Sequence, residues 1–238
     1  MAQITTTAIV LSAQPYLDHH KLLTLFSPEH GKLTAVSHGC LSVKSKLRSA
    51  SVPFASGEYV LSGKGERLSV VNCRLDAEYH AAMDDYEAIT HAAYLAQLCA
   101  VAVQPNQQNP ELYAALLRSL AYLNYGKASS AAVFCAALLW HLDALGFAPQ
   151  LTCCAVCGVT RGQPRFLAEY GGLCCANCAP DALKILREQL AFLRAARLDF
   201  TEIPVLNDEF IPSLKKLLLD YCEYCVDKKL KARDLIDR

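Results

Sequence analysis

Two Cys-x-x-Cys pairs, Cys154-Ala155-Val156-Cys157 and Cys175-Ala176-Asn177-Cys178, stand in this chain with 17 residues between them. That separation suits a single divalent ion held by four thiolates. A two-residue spacer lets one tight turn aim both sulfurs at the same point, and Zn²⁺ takes four such ligands tetrahedrally at about 2.3 Å. Four thiolates leave no open coordination position, so the expected role is to fix local structure and not to activate water. Gly158 follows the first pair and Gly171-Gly172 precedes the second, where positive φ lets the backbone turn back toward the sulfurs. Arg161 and Arg165 are placed to offset the negative charge of the thiolates. The adjacent Cys153 and Cys174 offer Cys-x3-Cys alternatives on either side; the two-residue spacing keeps Gly158 in register and is the frame expected.

A third pair, Cys222 and Cys225, lies in a helical stretch with no basic neighbour to lower a thiol pKa, so buried thiols are expected there. Cys40, Cys73, Cys99 and Cys135 sit in apolar runs and read as small core residues. A thiol oxidoreductase is disfavoured, since no βαβ unit surrounds any pair and thiolates closed around zinc are poor nucleophiles. His141 and Asp143 have no nucleophile motif beside them and read as helix packing, so no catalytic residue is expected and the chain is not read as an enzyme.

The second feature with chemical content is basic. No Asp or Glu occurs between Glu29 and Glu58, and the same window holds Lys32, His38, Lys44, Lys46 and Arg48. In an extended segment Lys44, Lys46 and Arg48 would point to one side, with Ser45 and Ser49 as further phosphate donors. This is a candidate phosphate-binding strip, suited to a nucleic-acid backbone. The run Lys228, Lys229, Lys231, Arg233 is diluted by Asp227, Asp234 and Asp237 and reads as a solvated helix face.

The elements that must position these residues follow from pattern. The chain has 238 residues, 53% hydrophobic and 19% charged, enough for one or two packed domains and incompatible with wholesale disorder. Apolar or β-branched runs at Thr7–Leu11, Lys21–Phe26, Lys32–Val36, Glu58–Leu61 and Arg67–Asn72 predict five strands, with turns at Ser27–Gly31 and at Gly63-Lys64-Gly65. Five short strands in so small a domain suggest a closed barrel, which removes sheet edges. From about Met83 the texture turns helical: Tyr86–Val103, Glu111–Tyr122 after an Asn109-Pro110 start, and a helix capped by Ser129 or Ser130 running to about Leu145. After the cysteine-rich insertion at about 151–180, helices are expected at Asp181–Leu198 and from Pro212 toward the C-terminus. The reading is α+β: a domain over 1–80, then a helical domain over 81–238 carrying the zinc-binding insertion.

Lys and Arg total 23 and Asp and Glu total 23, so a nucleic-acid site must come from uneven placement of charge. The first residues lack a basic region before their short apolar run, and no apolar stretch reaches the roughly 18 residues of a membrane span. With no secretion signal, twelve cysteines point to metal ligation and buried thiols in a reducing cytosol, so a soluble cytoplasmic protein is expected.

These parts together resemble the RecO family of bacterial DNA repair proteins. The resemblance rests on Leu22-Leu23-Thr24-Leu25-Phe26-Ser27-Pro28-Glu29-His30-Gly31-Lys32-Leu33, on Ala35-Val36-Ser37-His38-Gly39 and on Lys44-Ser45-Lys46-Leu47-Arg48. It continues through Cys154-x-x-Cys157-Gly158 and Gly171-Gly172-Leu173-Cys174-Cys175-x-x-Cys178, with a less specific match over Leu219–Lys229. It covers nearly the whole chain. The resemblance implies a five-stranded OB-type barrel and a helical domain holding one structural Zn²⁺. It implies a recombination mediator at the bacterial nucleoid that binds single- and double-stranded DNA and anneals complementary strands. The implied partners are RecR, the single-stranded-DNA-binding protein and, indirectly, RecA. Arg118, Arg187, Arg194 and Arg197 are candidates for meeting an acidic tail of the single-strand-binding protein. The alternative is an interaction scaffold with a structural zinc and no direct DNA role.

Overall fold

Alternating apolar and polar residues curl the first part of the chain into a closed five-stranded barrel in the computed structural model, which describes residues 2–64, 67–79 and 85–237. The strands are β1 (Ala2–Tyr16), β2 (His20–Ser27), β3 (Gly31–Ser37), β4 (Ala55–Lys64) and β5 (Arg67–Glu78). All five are longer than their apolar runs suggested, because ladder pairing continues beyond those runs. Gly65, in the expected β4–β5 turn, and Met83, at the expected change of texture, lie outside the described residues.

Strand order around the barrel is β1-β2-β3-β5-β4, all pairs antiparallel except β3 with β5. Closure depends on β1 serving two partners. Its first half pairs with β4 (Ala2↔Gly63 to Ile9↔Ser56) and its second with β2 (Ile9↔Phe26 to Tyr16↔His20). The register shift between Val10 and Ser12 supplies the bend that this handover needs. Inward residues Ala8, Val10, Leu23, Leu25, Tyr59 and Leu61 fill the interior. The order and closure are those of the OB fold.

The chain divides into two compact units, Met1–Tyr125 and Gly126–Arg238. The division falls later than the change of texture near residue 80, because two helices belong with the barrel. Helix α1 (Tyr86–Ala102) packs on β1 and β2, and α2 (Pro110–Tyr125) packs on α1 and β2. Asn109 caps α2 by accepting from the Leu112 N–H at 2.9 Å, and Phe26 meets Tyr113 edge to face. The turn at Gly31 is locked to the loop after α1: Lys32 N–H donates to the Gln104 carbonyl and Asn106 N–H to that of His30.

In the second unit α3 (Ser130–Ala144), capped by Ser129, is buried from Ala132 to Leu142. Helices α4 (Arg187–Leu198) and α5 (Ile211–Cys225) pack on it, and the Trp140 indole N–H donates to the Ala196 carbonyl. The helix expected over Asp181–Leu198 begins only at Arg187. Leu183–Lys184 instead form β8, pairing with β6 (Arg165–Leu167), which also pairs with β7 (Gly172–Cys174). The C-terminal helical signal is interrupted too. After α5 the chain turns at Asp227, whose φ is +49°, before the short α6 (Arg233–Ile236). Arg233 binds Asp220, Glu223 and Asp237 there, so this part of the basic run is consumed internally.

Candidate metal centre and nucleic-acid interface

The candidate metal centre is assembled from two turns held side by side by backbone bonds. Leu151 leads into the first, and β7 leads into the second. The Gln150 N–H donates to the Gly171 carbonyl, the Leu173 N–H to that of Gln150 and the Ala155 N–H to that of Leu173, each within 2.9 Å. Gly172 makes this possible: its φ is +147°, and a Cβ there would stand 2.4 Å from the Gln150 carbonyl oxygen. Each turn closes alike, Gly158 N–H donating to the Cys154 carbonyl and Ala179 N–H to that of Cys175. Gly158 has the positive φ, +72°, that its place after the first pair suggested.

The four sulfurs of Cys154, Cys157, Cys175 and Cys178 lie within 4.8 Å of one another, and the Cys157 and Cys175 sulfurs are 3.7 Å apart. Tetrahedral thiolates at about 2.3 Å from one ion stand roughly 3.8 Å from each other, so an ion fits with small movements. Backbone N–H groups serve the first cysteine of each turn. Those of Cys157, Cys175 and Val156 draw the Cys154 thiol down to about 6, and those of Cys178 and Asn177 act likewise on Cys175. Hydrogen bonds to Cys157 and Cys175 push the Cys178 thiol up to about 12. The donor set is thus four soft sulfurs, two of them already biased toward thiolate, and it fits zinc.

Cys153 and Cys174 are not in the group. Cys174 is buried, its thiol directed at the Gly172 carbonyl, and burial raises its pKa. Arg165 spends one donor on the Ala182 carbonyl, while Arg161 lines a cavity of about 500 Å³ beside the cluster together with Arg187 and Arg194. Arg194 and Arg197 are already committed: the first donates to the Leu151 carbonyl, the second pairs with Asp143 at 3.0 Å. Cys222 is fully buried and its thiol is pushed up by desolvation, against redox use. Cys40, Cys99 and Cys135 are buried, whereas Cys73 on β5 is half-buried.

The basic strip lies on the connection from β3 to β4, and its geometry differs from the expected one. Residues 38–51 are not extended. They form successive turns, with Ser45 N–H donating to the Ser42 carbonyl, Arg48 N–H to Ser45 and Ser51 N–H to Arg48. Exposure nevertheless alternates: Lys44, Lys46 and Arg48 are exposed, while Ser45 and Leu47 are half-buried. Leu47 and Val52 pack against the barrel core and anchor the connection. Polar ties do the rest. Lys21 Nζ donates to the Ser51 carbonyl at 2.8 Å, the Ser51 hydroxyl to that of Ser37 at 2.7 Å, and the Gly39 N–H to His20 Nδ1 at 2.8 Å. Lys44, Lys46 and Arg48 make no ion pair among the described residues.

The remaining two candidates are placed differently. Lys32 is half-buried and its ammonium donates to the Ala100 carbonyl at 2.9 Å, so it caps the last turn of α1, a cation at a helix C-terminus. His38 is exposed, its Nε2 3.2 Å from the Ser69 hydroxyl and its ring edge to face with His20. Sequence reasoning missed His20; its place at the β2 start, next to a turn that the apolar pattern left undefined, gave no signal.

An OB barrel followed by a helical unit with a four-thiol cluster defines the structural class of the protein, and comparison with known sequences makes the class specific. The family described as Recombination protein O matches here in both parts, its N-terminal region over residues 1–74 and its C-terminal region over 83–234. The chain belongs to this family of DNA repair and recombination proteins. Among its relatives, the DNA repair protein RecO of Desulforamulus reducens is 29% identical over 97% of this chain and 93% of its own length. That of Myxococcus xanthus is 30% identical over 83% of this chain and 81% of its own. That of Clostridium perfringens is 28% identical over 99% and 98%. No helix among the described residues is long and apolar enough to cross a membrane.

Proposed function

We propose that this chain is a recombination mediator that binds single- and double-stranded DNA through the β3–β4 connection, anneals complementary strands and, with RecR, helps load RecA onto DNA covered by the single-strand-binding protein. The observation that carries the reading is the set of three exposed cations, Lys44, Lys46 and Arg48, on a segment with no acid from residue 30 to 57. Two DNA strands repel each other. A surface that neutralises phosphates lowers that barrier, and because phosphate contacts do not engage base edges, those edges stay free to pair. Contacts of this kind need no catalytic group, so the protein acts by binding and not by turnover.

The four-cysteine cluster holds one structural Zn²⁺ in this reading. Bound zinc ties the turn after Leu151 to the turn after β7 and contributes folding free energy to the second unit. A cytoplasmic, nucleoid-associated location follows from the proposed substrate.

Strand annealing tests the reading. Purified protein should speed the pairing of complementary oligonucleotides, and the variant Lys44→Ala, Lys46→Ala, Arg48→Ala should lose most of that acceleration while retaining its fold. Annealing no faster than the spontaneous rate, with no DNA binding at low salt alone or with RecR, would favour the scaffold reading.

A further inference from the structure

The end of the barrel that carries the basic connection also places large apolar side chains in water. Tyr16 is 40% exposed, Leu17 75%, Leu41 47% and Val43 83%. The first two lie at the turn from β1 to β2, whose Tyr16↔His20 pair is spanned by Leu17, Asp18 and His19. Leu17 has φ +50° and His19 φ +65°, a region that L residues with bulky side chains avoid and that glycine or asparagine would occupy more easily. Leu17 is therefore unfavourable twice, in backbone conformation and in exposure, and its side chain returns little to the fold. A strained, exposed apolar residue of this kind points outward to a ligand.

The two apolar loops belong to one surface. The Leu41 N–H donates to the His19 carbonyl at 3.3 Å, and the Gly39 N–H to His20 Nδ1 at 2.8 Å. Val43 directly precedes Lys44, the first of the three exposed cations. Asp18 is the one carboxylate in the turn. An aliphatic tip beside a row of cations matches a chain that is anionic along its backbone and apolar on its unstacked faces.

We infer that Leu17, Leu41 and Val43 contact the unpaired bases of a single strand whose phosphates lie on Lys44, Lys46 and Arg48. The inference rests on the phosphate-binding role proposed above and adds a source of preference for single strands, because a duplex keeps its base faces stacked. Three side chains on two short loops are far fewer than the roughly 20–30 residues a side of a stable protein interface, which disfavours a second copy of the chain as occupant.

The test compares two oligonucleotides of equal length, one of deoxythymidine and one abasic throughout, by fluorescence anisotropy at several salt concentrations. Native protein should bind the base-bearing strand about ten-fold tighter, since contact with each base face adds to the phosphate contribution. The double variant Leu17→Gly, Val43→Ser should bind both strands at the abasic level with an undiminished salt slope. Glycine suits the Leu17 conformation, so its melting temperature should not fall. Equal affinity of the native protein for both strands would overturn the base contact while leaving phosphate binding intact. Binding to neither strand would overturn both readings. A base preference that survives the double variant would also overturn the contact, all the more if light scattering showed the substitutions abolishing a dimer.

Discussion

The phenolic hydroxyl of Tyr59, buried inside the barrel on β4, donates to the backbone carbonyl of Ala50 at 2.9 Å. That bond runs from the barrel interior to the connection bearing Lys44, Lys46 and Arg48, so a core residue fixes where the cations stand. Tyr59→Phe leaves the Ala50 carbonyl buried without its partner. It should lower stability by about 1–2 kcal/mol in urea unfolding. Hydrogen exchange should rise first in residues 45–51; uniform exchange across the barrel would show that the bond does not hold the connection.

Gly31 closes the β2–β3 turn with φ +65°, and a Cβ there would stand 2.4 Å from the Gln107 carbonyl oxygen. The obstruction is backbone, which cannot swing aside. Gly31→Ala should therefore cost at least about 2 kcal/mol, combining left-handed strain with displacement of the 104–107 loop. A thermal melt within a degree of the native protein would contradict this packing.

The cysteine cluster predicts one zinc per chain by elemental analysis. Cys157→Ser or Cys178→Ser should lose the metal, whereas Cys153→Ser should retain it, since its sulfur is not among the clustered four. Stripping the ion with a chelator should lower the melting temperature of the native protein, the ion's binding free energy being part of folding. Retention of zinc by the Cys178 variant would reassign the ligands.

His141 is fully buried in α3, its Nδ1–H donating to the Ala137 carbonyl at 2.7 Å, and desolvation draws its pKa from 6.5 down to about 4. The unfolded chain binds this proton more readily than the folded one. Stability from the neutral imidazole is thus fully present above pH 6.5 and is lost as pH falls toward 4, by at most about 3 kcal/mol. Urea unfolding across that window should show the loss, and His141→Leu should flatten it. An unchanged pH dependence in the variant would place the acid sensitivity elsewhere.

What the residues revealed in advance divides along local and non-local lines. The two-residue cysteine spacing and Gly158 are local, and the sulfurs came together as that pattern required. Caps at Asn109 and Ser129 likewise marked α2 and α3. The β8 pairing of Leu183–Lys184 with β6 was hidden, because a two-residue strand has no periodicity and depends on a partner some 18 residues away. Lys32 looked like its basic neighbours; only the approach of the α1 C-terminus turns its ammonium inward. The alternation of Lys44, Lys46 and Arg48 did mark exposed positions, but through successive turns anchored by Leu47, not through an extended strand.

The central claim is that those three cations meet phosphate. The direct measurement is the salt dependence of single-strand binding by the native protein and by the Lys44→Ala, Lys46→Ala, Arg48→Ala variant. Removing one phosphate-neutralising cation should reduce the slope of log K against log salt by about 0.7, so the triple variant should bind more weakly with a slope shallower by about 2. An unchanged slope, with affinity intact, would contradict the claim.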